Sequence, residues 1–196
     1  MSLAFVTLAG TACSTDADGT PIPQTSSGRA EESRTTDPST DPEVENPLDA
    51  SRFLADPCAV LTQTQLAAFD VTRPGIPETT GSVAERSGPF CVWHAAAELG
   101  STIGVGFITG NKDGLSDIYR GREQFEDFRP VEVDQYPAVF ANSPDLRSSG
   151  MCTVYVGISD TLAFRATEGG QLDASGSCDR AKQVAAAALT TIQEAR

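Results

Sequence analysis

The chain predicts an α+β fold: an antiparallel β-sheet with helices packed on one face, two disulfides, and a disordered tether ahead of the folded part. Three observations carry this. Downstream of residue 90, short segments rich in β-branched and aromatic residues are separated by turns of a few residues, which favours antiparallel pairing. Helical spacings lie before, between and after those segments, and their apolar stripes must cover a face of the sheet. Four cysteines, Cys58, Cys91, Cys152 and Cys178, are spread through the same region.

The folded part is expected to open at Asn46-Pro47-Leu48-Asp49. Asp56 followed by Pro57 is a favoured helix start, placing Cys58, Val60 and Leu61 inward. Thr62-Gln63-Thr64-Gln65 has the form of a capping box and predicts a second helix with Leu66, Ala67 and Phe69 on its apolar face. Pro74, Gly75 and Pro77 end it and begin a loop reaching Gly88-Pro89. Phe90-Cys91-Val92-Trp93 reads as a strand. In residues 102–109, Ile103, Val105 and Phe107 alternate with small or polar neighbours, and a turn follows at 110–114. Leu115, Ile118, Tyr119, Arg122 and Phe125 have helical spacing, predicting a middle helix over about 115–126. Residues 130–133 and 136–141 read as two strands around Asp134-Gln135. Residues 151–158 and 162–166 form a hairpin across 159–161. The last helix is expected over about 177–193, with Cys178, Ala181, Val184, Ala185, Ala188 and Ile192 on one face.

Ahead of this part the chain has a different character. Residues 3–12 form a short apolar run ending in small residues, and Cys13 follows. That order is the start of a bacterial lipoprotein, in which the cysteine is acylated, becomes the new N-terminus and anchors the chain outside the cell. The run is too short to span a bilayer, which takes about 20 apolar residues. No Lys or Arg precedes Arg29, and Gly10 stands where such signals carry Leu. The expected account is a truncated signal, residues 1–13, whose basic start lies upstream. Residues 14–46 are rich in Thr, Ser, Pro and acidic residues and hold no aromatic residue. Such a segment cannot bury enough apolar surface to offset its ordering entropy, so it is expected to be a disordered tether. Residues 47–196 are then the disulfide-bonded domain.

Charge and cysteine usage narrow the partners. The formal net charge is −13. Residues 14–46 carry eight acidic and two basic side chains, and residues 47–196 carry nineteen and twelve. Both parts are acidic, so no nucleic-acid partner is expected, because that requires Lys and Arg against phosphates. Membrane attachment should depend on acyl chains such as palmitate at Cys13, since more than one chain is needed for a stable anchor. With Cys13 set aside, an even number of cysteines in an exported domain predicts two disulfides, with three connectivities open. Proximity in the predicted elements favours Cys58 with Cys91, tying the first helix to the first strand. It likewise favours Cys152 with Cys178, pinning the last helix to the sheet. No pair has the C-x-x-C spacing of a zinc or redox site.

Several motifs define this chain further. They are Asn46-Pro47-Leu48-Asp49, Asp56-Pro57-Cys58-Ala59-Val60-Leu61-Thr62 and Cys91-Val92-Trp93. Gly114-Leu115 with Tyr119 follows, then Val131-Glu132-Val133 with Tyr136-Pro137-Ala138-Val139. Cys152-Thr153-Val154-Tyr155-Val156-Gly157-Ile158 and Cys178-Asp179-Arg180-Ala181 complete the set. In this order they resemble the actinobacterial lipoproteins of the domain of unknown function 3558 family, over about residues 46–194. The resemblance implies export, a lipid anchor, two disulfides and an α+β domain. It supplies no catalytic residues.

Candidate chemistry is sparse. His94 is the only histidine; a Ser-His-Asp site would have to use it, and no Gly-x-Ser-x-Gly elbow occurs. A multi-histidine metal site is excluded. Asp16-Ala17-Asp18-Gly19-Thr20 begins like a calcium loop but lacks the later ligands. Gly104-Val105-Gly106 lacks the spacing of a dinucleotide loop, and strand glycines more often permit a bulge or close approach. Asp113, Asp117, Glu123, Glu126 and Asp127 form an acidic stretch that would suit paired-carboxylate chemistry or a solvated helix face, with Arg120, Arg122 and Arg129 relieving repulsion. Trp93, Tyr119, Tyr136 and Phe140 would line a groove between sheet and helices or belong to the core. The expected protein is a non-enzymatic binding or accessory module of the cell envelope, on the outer face of the membrane, with no cofactor and no metal. Its partner would be an envelope protein or a small molecule. The alternatives are a carrier of a small apolar or lipid ligand, and a hydrolase using Glu123 and Asp127.

Overall fold

The computed structural model of the chain describes residues 42–95, 101–170 and 172–195. The signal segment, Cys13 and the tether up to residue 41 lie outside the described residues. Val44 is buried, and the carbonyl of Asn46 accepts a hydrogen bond from the Tyr136 hydroxyl at 3.0 Å. Packing therefore begins a few residues upstream of residue 47.

Seven strands form one fully antiparallel sheet: β1 (Ile76–Glu78), β2 (Phe90–His94), β3 (Thr102–Ile108), β4 (Asp127–Val133), β5 (Tyr136–Asn142), β6 (Met151–Gly157) and β7 (Ala163–Gly169). Their order across the sheet is β1-β2-β3-β7-β6-β5-β4. The β4–β5 hairpin closes through Asp134 and Gln135, both at positive φ. That is the pattern of a tight two-residue turn matched to strand twist. The described helices are α1 (Ser51–Ala55), α2 (Gln63–Ala68), α3 (Gly81–Ser87), α4 (Gly114–Arg120) and α5 (Ala174–Glu194).

Alternation along the strands sends one set of side chains to each face. On the covered face, Trp93, Val105, Phe107, Phe164, Val154 and Val156 meet the buried stripe of α5, from Cys178 and Ala181 to Ile192. Asp173 caps α5, accepting from the amide of Gly176 at 2.7 Å. Phe53, Val60, Leu61, Leu66 and Phe69 of the N-terminal segment fill the rest of that face. The capping box at Thr62 and Gln65 is present, and Gln65 also donates to the carbonyl of Ala187, joining α2 to α5. The two disulfides are Cys58–Cys91 and Cys152–Cys178. Each fastens a covering segment to the sheet, and such links typically add about 2–4 kcal/mol.

Three expectations change. The first helical turn is split: α1 precedes Asp56, and Pro57–Val60 form a 3₁₀ turn. The loop expected over 74–89 contains β1 and α3. Pro77 fits there because β1 is an edge strand, where a missing N–H costs no ladder bond. The middle helix stops at Arg120. Arg122–Gln124 form a 3₁₀ turn in place of its last turn, and β4 begins at Asp127, three residues ahead of the strand expected from 130.

Glu168 lies on the covered face, opposite Ile103 and Cys152, and is fully buried. Neither carboxylate oxygen has a hydrogen bond of acceptable geometry. Burial raises its pKa above the ordinary 4.5, against smaller opposing effects from the nearby Ser101 hydroxyl and the Arg180 charge. Between the unfolded and folded values the folded chain therefore binds more protons than the unfolded chain. The stability this represents is complete below pH 4.5 and is lost as pH rises through the folded value. Asp117, Asp145 and Asp173 have lowered pKa values and act in the opposite sense, below about their ordinary 3.8. Thermal melts from mildly acidic to neutral pH should show a falling melting temperature in the wild type. Glu168→Gln should flatten that slope; parallel slopes would show that Glu168 does not titrate in this window.

Candidate functional site

The connection from β3 to β4 must cross three strands, because they stand third and seventh in the sheet. It crosses on the face opposite α5. Leu115, Ile118 and Tyr119 of α4, followed by Phe125, pack with Phe128, Val139, Ala141, Tyr155 and Ala163. Tyr119 is buried there, its hydroxyl pushed up to about 12 by burial. This strap covers β4, β5 and the far end of β6. Among the described residues, nothing covers the near end of that face, over β2, β3, β7 and the start of β6.

A groove of about 510 Å³ occupies the open end. Strand register defines its floor as three rows. Met151, Gly169 and Thr102 form the first, with His94 beyond its end; Thr153, Thr167, Gly104 and Val92 the second, with Ile76 beyond its end; Arg165, Gly106 and Phe90 the third, with Tyr155 beside Arg165. Phe90 and Val92 stand on one side, Ser149 and Met151 on the other, and the glycines lie low between them. The three glycines have different reasons to be there. A Cβ on Gly106 would come within 2.9 Å of Phe90 Cβ, so close packing requires it. A Cβ on Gly104 would meet nothing nearer than 3.6 Å, and one on Gly169 nothing nearer than 3.7 Å. Neither has a positive φ. At those two positions a bare backbone costs strand stability without a steric need, and its effect is to keep the floor deep.

The Thr153 and Thr167 hydroxyls share a hydrogen bond at 3.4 Å, giving the floor a polar centre between apolar walls. Two of the exposed large apolar side chains, Ile76 and Met151, extend those walls at opposite edges. His94 sits exposed at the rim, its Nδ1 at 3.2 Å from Thr102 Oγ1.

The aromatic residues considered as groove lining are elsewhere. Trp93, Tyr136 and Phe140 belong to the core under α5, and Tyr119 to the cluster beneath the strap. The acidic stretch does not converge on a site. Asp113 and Asp117 both pair with Arg120, and Glu123 pairs with Arg122 in solvent. The Glu126 carboxylate accepts from the amide of Asp145. Asp127 is buried at the edge of the covered face. It is held by Arg129 at 2.7 Å, Arg147 at 3.3 Å and the Asn142 amide at 2.9 Å. Arg129 in turn stacks over Phe140 and reaches Cys178 Sγ at 3.4 Å. These contacts make Asp127 a structural brace beside the Cys152–Cys178 bond. Among the described residues no group of three or more His, Cys, Asp or Glu side chains is placed to hold a metal ion, and no helix is long and apolar enough to cross a membrane.

The sequence singled out Gly104 and Gly106 but offered a groove lined by other residues, between sheet and helices; it missed this one because its lining comes from four strands and the preceding turn. The available signal was a strand with glycines and threonines on one alternate set and large apolar residues on the other.

The chain matches, over residues 8–191, the family described as "protein of unknown function (DUF3558)", and it belongs to that family. No curated protein and no solved structure matches it.

Asp127→Ala removes the shared partner of two partly exposed arginines and should destabilise the fold by about 2 kcal/mol, as expected for losing charge-assisted hydrogen bonds to a buried carboxylate. Glu123→Ala should stay within about 0.5 kcal/mol of wild type. Denaturant titration of the two variants checks the contrast.

Proposed function

We propose that this protein is an exported cell-envelope protein, anchored to the outer face of the membrane by acyl chains on Cys13, and that it binds a partner or ligand rather than catalysing a reaction. The groove on the open sheet face carries this reading. It is concave, apolar-walled and of ligand size, and two of its floor glycines answer no packing requirement. Both disulfides fit an oxidising compartment, and the apolar run ending at Cys13 fits a lipid-attachment site. The acidic side chains that would supply paired-carboxylate chemistry are taken up in ion pairs. The same groove favours a small ligand over a flat protein contact, since a flat partner would leave its floor unfilled.

Two measurements test this. Cys13→Ser should shift the protein from the membrane pellet to the soluble exported fraction; full retention in the pellet would overturn the lipid anchor. Gly104→Val should narrow the groove, at a position where an added Cβ meets nothing nearer than 3.6 Å. Crosslinking in intact cells should recover an envelope component or ligand with the wild type and lose it with this variant. Equal recovery by both would move the binding surface elsewhere. Turnover of an envelope substrate by the purified protein, abolished by one side-chain change, would overturn the non-catalytic reading.

A further inference from the structure

Among the described residues lining the groove, Arg165 is the cation. Arg165 projects from the centre of β7 on the open face, between Tyr155 and Gly106. Among the described residues, no carboxylate pairs with it. By contrast Arg120, Arg122, Arg129, Arg147 and Arg180 each stand within ion-pair distance of one. The acid in the same cross-strand row is Glu78, three strands away, roughly 14 Å at ordinary strand spacing. In a chain of net charge −13, carboxylates are the commonest charged groups, so an unneutralised guanidinium in a concave site is notable. Its planar fork matches a carboxylate or phosphate in two parallel hydrogen bonds.

The rest of the groove is apolar at its sides. From Arg165 the floor runs past Thr167 and Gly104 towards Gly169, with Val92 and Phe90 along one side and Met151 at the far end. The three rows and four strands give it a footprint of roughly 13 by 14 Å.

We propose that the groove binds a small single-chain amphiphile with an anionic head, the head on the Arg165 guanidinium and the chain between Phe90, Val92 and Met151. This deepens the binding reading above and rests on it. The net negative charge of the protein disfavours anions in general, so local pairing with Arg165 selects where the head sits. The apolar walls select a chain over a small hydrophilic anion.

The probes are decanoate, decyl phosphate and the neutral decanol, titrated into purified protein by calorimetry and by amide chemical shifts. An anionic probe should bind at least about tenfold more tightly than decanol, the worth of a charge-assisted hydrogen bond. The shifts should fall in the segments around residues 90–92, 102–106, 151–153 and 165–169. Preference between the two anions identifies the head group. Arg165→Gln should reduce the anions to the affinity of decanol, and Arg165→Lys should restore part of the difference. Among the described residues Arg165 makes no ion pair, so the melting temperature of both variants should match wild type. Gly104→Val should weaken all three probes.

Equal affinity for decanoate, decyl phosphate and decanol, unaffected by Arg165→Gln, would overturn the anionic head and leave the groove as an apolar site. Binding with shifts outside the groove and no effect of Gly104→Val would overturn the groove itself. Failure of all three probes to bind would overturn the amphiphile as ligand. Failure together with concentration-dependent self-association abolished by Gly104→Val would assign the face to a second copy of the chain.

Discussion

A seven-stranded sheet has two faces to protect and, in this chain, one long helix with which to do it. The packing of α5 against the centre of the sheet is the constraint on which the rest depends. Alanines at 181, 185 and 188 let the helix lie close to the strands, while Val184, Leu189 and Ile192 fill the gaps beside them. At 21 residues α5 is roughly 31 Å long, about the width of the whole sheet. It is held at its start by the Asp173 cap and the Cys152–Cys178 bond. Further along, α2 reaches it through Gln65, which donates to Ala187 and accepts from Thr191.

The positions of the other elements follow from that. With α5 over the central strands, the N-terminal segment has only the β2–β3 side of the same face left to cover, and the Cys58–Cys91 bond holds it there. The β3–β4 connection cannot pass beneath α5, so it crosses the opposite face. It carries enough apolar residues to cover the β4–β5–β6 side and no more. The open groove is what remains. It is a consequence of strand order as much as of its own side chains: had β4 paired beside β3, no strap would divide the face.

Ionic groups are distributed in the same way. Asp127, Arg129, Arg147 and Asn142 brace the edge of the covered face beside a disulfide, where burial makes complete pairing necessary. Arg147 also binds Asp145, and chiefly that hydrogen bond lowers the Asp145 carboxyl to about 2. Glu168 shares the buried face with no hydrogen bond of acceptable geometry among the described residues, and burial raises its pKa. Arg165 is half-buried on the open face. Among the described residues, a buried acid without a hydrogen-bond partner and a half-buried base without an ion pair stand three residues apart on one strand, on opposite faces.

The sequence by itself determined the local elements and the disulfide pairs. Strand alternation placed six of the seven strands, and the Thr62–Gln65 pattern placed the start of α2. The cysteines fell at the points where covering segments meet the sheet. These signals are local: they depend on neighbours within a few residues, or on four thiols with few ways to pair. β1 and α3 were missed because three strand residues containing Pro77, and seven helical ones starting at a glycine, carry too little periodicity to compete with turn-forming neighbours. The middle helix was drawn too long because the helical spacing of Leu115 to Phe125 runs on through the 3₁₀ turn at Arg122–Gln124, and the start of β4 was set three residues late. Only the tertiary structure decided which aromatic residues are core, which carboxylates are spent on arginines, and where a cavity lies. The reason is physical. A groove floored by Gly104, Thr167 and Arg165 exists only once β3 and β7, some sixty residues apart in the chain, are hydrogen-bonded side by side. No segment of sequence shorter than that separation contains the information.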